Sequence, residues 1–376
     1  MRIAFIDLGR LEYTPITPSE QPLGGMESAA CYLAVSLAAR GHSVALMNRT
    51  TTPGSFGGVD CVNLSAVNAP ILNGFDVVVS ICAGSVKLRQ MGLMRPLVLW
   101  TGHDINQPAV RNLCDFAERC LWDKIVLVSN WQAKRYSTEF NLKSDQISVL
   151  RNAVAPAFEK KARNRPYFFT TGAPPVLIYS STPFRGLDVL LRAFPLIRAV
   201  VPECEANIYS SMLVYQMPPE KDSYHSLYNL CRMTEGVSLV GSVGQDTLAE
   251  AMNQCDVFAY PSTFPETSCI ALMEAMASGC IIVSTTLGAL PETAGGFGAL
   301  LDPPVESGRL AEIYAQFAAR TIWDAYKHPE QWVARLDEQR AFALKNYSWG
   351  ARAKEWEELL ELVIHQPARF AVPGRK

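Results

Sequence analysis

Val257-Phe-Ala-Tyr260-Pro-Ser-Thr-Phe-Pro-Glu266-Thr-Ser-Cys-Ile-Ala-Leu-Met-Glu274-Ala-Met-Ala-Ser-Gly279-Cys-Ile281-Ile-Val-Ser284 reads as strand, loop, helix and strand in succession. The two apolar runs are short and unbroken, which marks strands covered on both sheet faces, as in parallel sheets. A Pro-containing loop follows Tyr260, a helix is expected to begin near Thr267 or Ser268, and Gly279 closes it. Strand, crossover helix and strand is the repeating unit of a doubly wound α/β domain.

The same alternation fills the chain of 376 residues, which is long for one hydrophobic core. In the first half, strands are expected near 3–8, 44–47, 77–81, 97–100, 125–128 and 147–150. In the second half they are expected near 176–179, 206–209, 237–240, 257–260 and 281–284. Helical stretches lie between them at 27–40 and 187–200, the first stopping at Arg40-Gly41, a cation followed by a C′ glycine. Around 160–175 the charged run Lys160-Lys-Ala-Arg163-Asn-Arg165-Pro166 gives way to Thr170-Thr-Gly-Ala-Pro-Pro175, the composition of a linker. The expected organisation is a first α/β domain over 1–165, a second over 170–347, and a C-terminal helix and tail over 348–376. Trp349, Trp356, Leu359, Leu360 and Val363 give that helix an apolar face, and periodicity leaves open whether it packs on the second domain or crosses back to the first.

Composition narrows the function. A formal net charge of -2 argues against nucleic acid as a partner. The opening Met1-Arg-Ile-Ala-Phe-Ile-Asp7-Leu-Gly9 lacks a secretory h-region, and no apolar run approaches the roughly 20 residues of a membrane span, so a cytoplasmic location is expected. The ten cysteines include no C-x-x-C pair and sit mostly in apolar runs, as reduced buried thiols do. No Asp-x-Asp and no metal-ligand spacing occurs, so neither metal nor cofactor is expected.

The opening segment also carries chemistry. Unpaired amides and the dipole at a helix N-terminus hold an anion such as a diphosphate. Glu266 lies just before that helix and Glu274 about two turns in, roughly 9–10 Å along the axis at 1.5 Å per residue. Two carboxylates flanking an anion site suit a ligand with hydroxyls at both ends, such as a sugar nucleotide. The plainer reading is a dipole-favouring acid plus a surface glutamate. Glu274 lies within Ile270-Ala-Leu-Met-Glu-Ala-Met-Ala, however, where a lone carboxylate is costly unless something bonds it.

Glu266-x7-Glu274 within "FPETSCIALMEAMASG" resembles the donor-site motif of retaining GT-B glycosyltransferases of family GT4. The likeness spans nearly the whole chain. Gly24-Gly25-Met-Glu-Ser resembles the family's first glycine-rich loop, Ala-Arg-Gly41-His42 its second-strand entry, and Val128-Ser-Asn130 with Leu150-Arg-Asn152 its approach to the hinge. The resemblance implies two Rossmann-like domains facing each other across a cleft. It implies that Glu274 grips the ribose, while Glu266 and the amides of Thr267, Ser268, Cys269 and Ile270 hold sugar and phosphate. Arg185, before Gly186, falls where the family binds the diphosphate with a basic residue. The family's second basic residue is missing, with Tyr179, Ser180 and Ser181 in its place, so hydroxyls replace a charge or the phosphate site is built differently. Gly241, Ser242 and Val243 resemble the loop that reads the base. Gly24 and Gly25 would approach the diphosphate, and His103, after a strand, resembles the histidine that contacts the transferred sugar. His42 is expected to pack.

On this likeness the catalytic set is His103, Glu266 and Arg185. The expected reaction is transfer of a hexose, with retention, from a nucleotide sugar, UDP-glucose foremost. The acceptor would be a glycan or lipid-linked saccharide of bacterial surface polysaccharide synthesis, and the enzyme would sit at the inner membrane face. Helix amides, Arg185 and the glycine loop would take the charge of the leaving diphosphate. A nucleotide-sugar epimerase of the same architecture and a non-catalytic sugar-nucleotide binder remain as alternatives. A Rossmann dehydrogenase does not fit, because Asp7-Leu-Gly9-Arg-Leu-Glu lacks G-x-G-x-x-G. The acceptor loops at 11–23, 48–58 and 103–110 match no acceptor signature.

Overall fold

The computed structural model describes residues 1–160, 163–304 and 306–366. Lys161 and Ala162 of the expected linker and the last ten residues of the C-terminal segment lie outside the described residues. The chain forms two compact units, one of residues 1–18, 25–152 and 349 onward, the other of residues 19–24 and 153–348.

The first unit contains strands β1 (Arg2–Ile6), β2 (Ser43–Asn48), β3 (Gly54–Phe56), β4 (Val59–Asn63), β5 (Val77–Ser80), β6 (Leu97–Thr101), β7 (Lys124–Leu127) and β8 (Ile147–Val149). Their order is β3-β4-β2-β1-β5-β6-β7-β8, parallel throughout except for the antiparallel β3–β4 edge. The centre of this sheet is apolar on both faces: Ile3, Ala4, Phe5 and Ile6 are fully buried, as are Val77, Val78 and Val79 beside them. Helix Gly25–Ala39 carries the chain from β1 to β2 and ends as Gly41 donates its amide to the Ala38 carbonyl at 2.9 Å. The C-terminal helix Trp349–His365 belongs to this unit. Trp356 meets Trp100 edge to face at 5.1 Å and Trp349 meets Tyr32 at 6.2 Å, while Glu357 pairs with Arg40 and with His42 Nε2 at 3.0 Å. His42 is thus a packing residue that helps seat this helix.

The second unit contains β9 (Val176–Ser180), β10 (Glu205–Tyr209), β11 (Val237–Leu239), β12 (Val257–Tyr260), β13 (Ile281–Thr285) and β14 (Ala299–Leu301), all parallel, in the order β11-β10-β9-β12-β13-β14. The chain runs outward from β9 to β11, then returns to lay β12 on the other side of β9. Strand order therefore reverses between β9 and β12, and ligands of open α/β sheets bind at the carboxyl ends of such a pair.

Residues 163–175 are not a free linker. Asp256, at the entrance to β12 and 1% exposed, binds Arg163 Nη2 and Arg165 Nη2 at 2.6 Å each and the Val176 amide at 2.9 Å. Charges that look solvent-bound in sequence are spent on a buried carboxylate some 90 positions away. Residues 153–165, expected in the first domain, belong to the second unit.

Candidate active site

Two close backbone approaches shape the carboxyl edge around β9 and β12. Gly186 has φ 108°, and a Cβ there would meet the Pro261 carbonyl oxygen at 2.2 Å. Gly288 has φ 67°, and its Cβ would meet the Glu266 oxygen at 2.3 Å. Only glycine satisfies both the left-handed backbone and the lack of space. The first contact seats the Pro183–Arg185 turn against the loop after β12; the second lets Glu266 bridge Gly288, with the Ala289 amide donating to the Glu266 carbonyl at 2.6 Å.

That bridge delays the helix. It runs Ile270–Ala277 with Cys269 as N-cap, so the start expected at Thr267 or Ser268 is corrected by two to three residues. Its first internal bond is Met273 N–H to the Cys269 carbonyl at 3.2 Å, leaving the amides before Met273 without helical partners. Glu274 is four residues past Ile270, roughly 6 Å along the axis rather than 9–10 Å. Glu266 sits in the bridge, and Thr267 and Ser268 form a bend before the helix.

Two of the residues singled out from sequence meet directly. Arg185 Nη1 donates to both oxygens of Glu266, at 2.7 and 2.6 Å. The Tyr260 hydroxyl donates to Glu266 Oε1 at 2.5 Å and lies 3.3 Å from the Ser181 hydroxyl. Phe184 and Phe264 stack on the guanidinium, centroids 5.5 and 4.7 Å away. Burial works against the Arg185 charge, but Glu266 more than offsets it and keeps the guanidinium protonated. Burial beside Glu266 likewise raises the Tyr260 phenol well above its ordinary range, so it remains a donor.

Glu274 is in the opposite condition. It is 3% exposed, its Oε1 has no hydrogen-bond partner, and its carboxyl is raised to about 8 by burial, opposed only by the Ala155 amide. A buried polar atom without a partner requires an explanation, and here such atoms cluster. In the second unit, eight buried side-chain atoms among the described residues lack partners. Six follow the carboxyl ends of β9 to β12: Thr182 Oγ1, Arg185 Nε, Ser210 Oγ, Gln245 Oε1, Ser268 Oγ and Glu274 Oε1. The other two, on Asn253 and Ser278, sit at helix C-caps.

The remaining expected residues are placed as follows. Ser180 ends β9, and Gly241, Ser242 and Val243 follow β11, the Ser242 hydroxyl accepting from Ser211 at 2.9 Å. Cys269 is buried, its thiol pushed well up by burial and by Glu266, which suits a backbone role and not thiol chemistry. His103 follows β6 in the first unit, its Nδ1 2.9 Å from the Thr101 hydroxyl and its carbonyl fixed by Gln132 and Tyr136. Gly25 opens helix Gly25–Ala39, and Gly24 is grouped with the second unit. Sequence reasoning missed Tyr260, Thr182, Ser210, Gln245 and Gly288. It also missed Glu27, raised to about 7 by burial and by Asp7, whose carboxylate holds the Tyr13 hydroxyl at 2.9 Å.

The chain is similar to known proteins in sequence and in fold. Residues 174–319 match the family model described as glycosyl transferases group 1. A phosphatidyl-myo-inositol mannosyltransferase of Propionibacterium freudenreichii is 27% identical over 44% of this chain and 37% of its own length. A GDP-mannose-dependent alpha-(1-6)-phosphatidylinositol monomannoside mannosyltransferase of Mycolicibacterium smegmatis is 24% identical over 72% of this chain and 71% of its own length. The chain thus spans little more than a third of the former and about seven tenths of the latter. In fold, a glycosyltransferase of Rickettsia africae aligns with TM-score 0.70 at 13% identity, covering 97% of this chain and 98% of its own. The Anabaena protein HepE in complex with UDP aligns with TM-score 0.64 at 19% identity, covering 96% of this chain and 100% of its own. The chain has the GT-B fold, and residues 174–319 of its second unit carry a glycosyltransferase domain of the group 1 type.

Proposed function

We propose that this protein transfers a hexose from a nucleotide sugar to a hydroxyl of a membrane-borne or glycan acceptor, with retention of configuration and without a metal ion. The observation that carries this reading is Glu274 Oε1, a buried carboxylate oxygen left unpartnered beside a helix N-terminus at the strand-order reversal. A ribose with two adjacent hydroxyls supplies the missing donors. The diphosphate takes the first-turn amides ahead of Met273, which have no helical partners, and the remaining N–H groups of Arg185, with the hydroxyls of Thr182 and Ser268 at hand. Glu266, already held by Arg185 and Tyr260, is a poor nucleophile, so a glutamyl-enzyme intermediate is disfavoured. The acceptor oxygen would instead bond to the anomeric carbon on the face the diphosphate leaves, its proton passing to the departing phosphate oxygen. Arg185 and the amides stabilise the charge that develops there. His103 keeps the sugar-contacting role given by the family resemblance, to be tested by turnover of His103→Ala.

UDP-glucose is the donor we assign first, supported by the shared fold of HepE, whose structures include one with UDP-glucose. The Mycolicibacterium relative is named for GDP-mannose, which makes that nucleotide sugar the principal competitor. For the acceptor, bacterial, plant and yeast relatives are all named for phosphatidylinositol lipids. This favours a polyol or saccharide headgroup at the cytoplasmic membrane face, within the surface-glycan chemistry expected from sequence. The lipid substrates for which those relatives are named support peripheral attachment at a membrane face; no helix among the described residues is long and apolar enough to cross a membrane. The test is calorimetric titration of UDP-glucose, GDP-mannose and ADP-glucose, without metal, into the wild type and Glu274→Ala. Binding of UDP-glucose above the others, largely lost in the variant, is expected. No binding of any donor, or equal binding by both proteins, would overturn the proposal.

A further inference from the structure

Glu266 has more donors than a simple ion pair requires, and their distribution is uneven. Its Oε1 accepts from both Arg185 Nη1 and the Tyr260 hydroxyl, whereas its Oε2 accepts from Arg185 alone. A carboxylate offers about four lone-pair positions, two on each oxygen. Oε1 is therefore filled and Oε2 retains one vacancy. The donor that fills Oε1 is fully buried, carried on the last residue of β12, and its hydroxyl lies 3.3 Å from that of Ser181. Ser181 occupies the stretch after β9 where a second cation was expected and none stands. A neutral Ser181–Tyr260 hydroxyl pair thus reaches Glu266 from that direction.

We infer that Tyr260 is a specificity-determining positioning residue: by occupying Glu266 Oε1 it leaves Oε2 as the single acceptor for one hydroxyl of the donor sugar. This rests on the proposed donor site and assigns how that site discriminates among hexoses. One acceptor position at a fixed place reads one hydroxyl. A sugar carrying that hydroxyl in the other configuration leaves Oε2 unpaired in a buried site, a mismatch that costs far more than a lost contact in water. Arg185 cannot do the same work, since it bonds both oxygens and does not tell them apart. Ser181 supports Tyr260 from behind and acts through it.

The test is calorimetric binding of UDP, UDP-glucose and UDP-galactose, the last two differing at one hydroxyl, to wild type, Tyr260→Phe and Ser181→Ala. The Tyr260→Phe change keeps the ring and its packing and removes only the donor. Free UDP, which has no sugar for Glu266 to read, is expected to bind Tyr260→Phe within about twofold of wild type. Discrimination between the two UDP-hexoses is expected to shrink about tenfold, the worth of one charge-assisted hydrogen bond. Ser181→Ala is expected to move the same ratio in the same direction by a smaller factor. If Tyr260→Phe weakens UDP and both UDP-hexoses equally, the residue serves the fold of the whole site and the inference fails. Unchanged discrimination would also overturn it. If wild type binds none of the three ligands, the UDP-sugar donor site itself falls, and this inference with it.

Discussion

Glu266 and Glu274 stand eight positions apart on one loop and helix, nearly equally buried, yet their surroundings are opposites. Glu266 is enclosed by an arginine, a tyrosine and a backbone bridge to Gly288. Glu274 has a backbone amide on one side and nothing on Oε1. The two carboxyl groups are buried alike, but only Glu266 has an internal cation to compensate its charge, whereas burial holds Glu274 toward its protonated form. The difference separates two ways of building a binding residue. Glu266 is held by protein donors and keeps one open acceptor position; Glu274 Oε1 has no protein partner, and on the proposed reading a bound ligand supplies one.

The sharpest way to break this contrast is to remove each acid and compare stability with binding. Glu274→Gln is expected to weaken UDP-glucose binding by about 100-fold or more, the loss of two hydroxyl contacts to a charged acceptor. The same variant should unfold no more easily than wild type at pH 7 and less easily above pH 8, measured by denaturant titration. Glu266→Ala should do the reverse for the fold, losing about 3 kcal/mol because Arg185 keeps its charge in a largely buried place with no counter-ion. Equal destabilisation by both changes would erase the distinction.

A smaller effect concerns pH. Glu274 titrates near 8 in the folded protein, above its ordinary value of 4.5. Its contribution to the stability of the unliganded fold is therefore complete below about 4.5 and is lost as pH rises through 8. Glu27, raised to about 7, acts in the same sense over a lower window. Donor binding should run oppositely. Ribose hydroxyls favour the ionised carboxylate, so affinity should rise with pH toward 8 and then level off, and Glu274→Gln should abolish the slope. Affinity independent of pH in wild type would mean the ligand meets a neutral acid.

Much of this was legible in the chain, for reasons that also mark the limits. Eleven strands were readable as short, largely apolar runs, most of them covered on both faces. β3, β4 and β14 were not: β3 and β14 are edge strands, and all three carry exposed, alternating or half-buried residues, as in Gly54-Ser-Phe56 and Val59-Asp-Cys61. The pairing of Arg185 with Glu266 spans 81 positions, so each residue was identifiable by motif while their contact was not. Tyr260 read only as the end of a strand, since nothing local shows that its hydroxyl meets Glu266. The linker was misread because Arg163 and Arg165 have their partner, Asp256, just before β12 of the same unit, far along the chain. The helix start was misplaced because the competing bridge, Glu266 to Gly288, is likewise non-local. Local pattern reveals what a residue favours; long-range pairing decides which atoms are left open.

The most direct test of Glu274 as the open seat for the donor is proton release on binding UDP-glucose, measured by calorimetry at pH 7.5 in two buffers of different ionisation enthalpy. With a carboxyl raised to about 8 that ionises on binding, wild type should release a substantial fraction of a proton per ligand bound. At ligand concentrations that saturate it, Glu274→Gln should release none. Binding without proton release, or the same release from both proteins, would contradict the assignment.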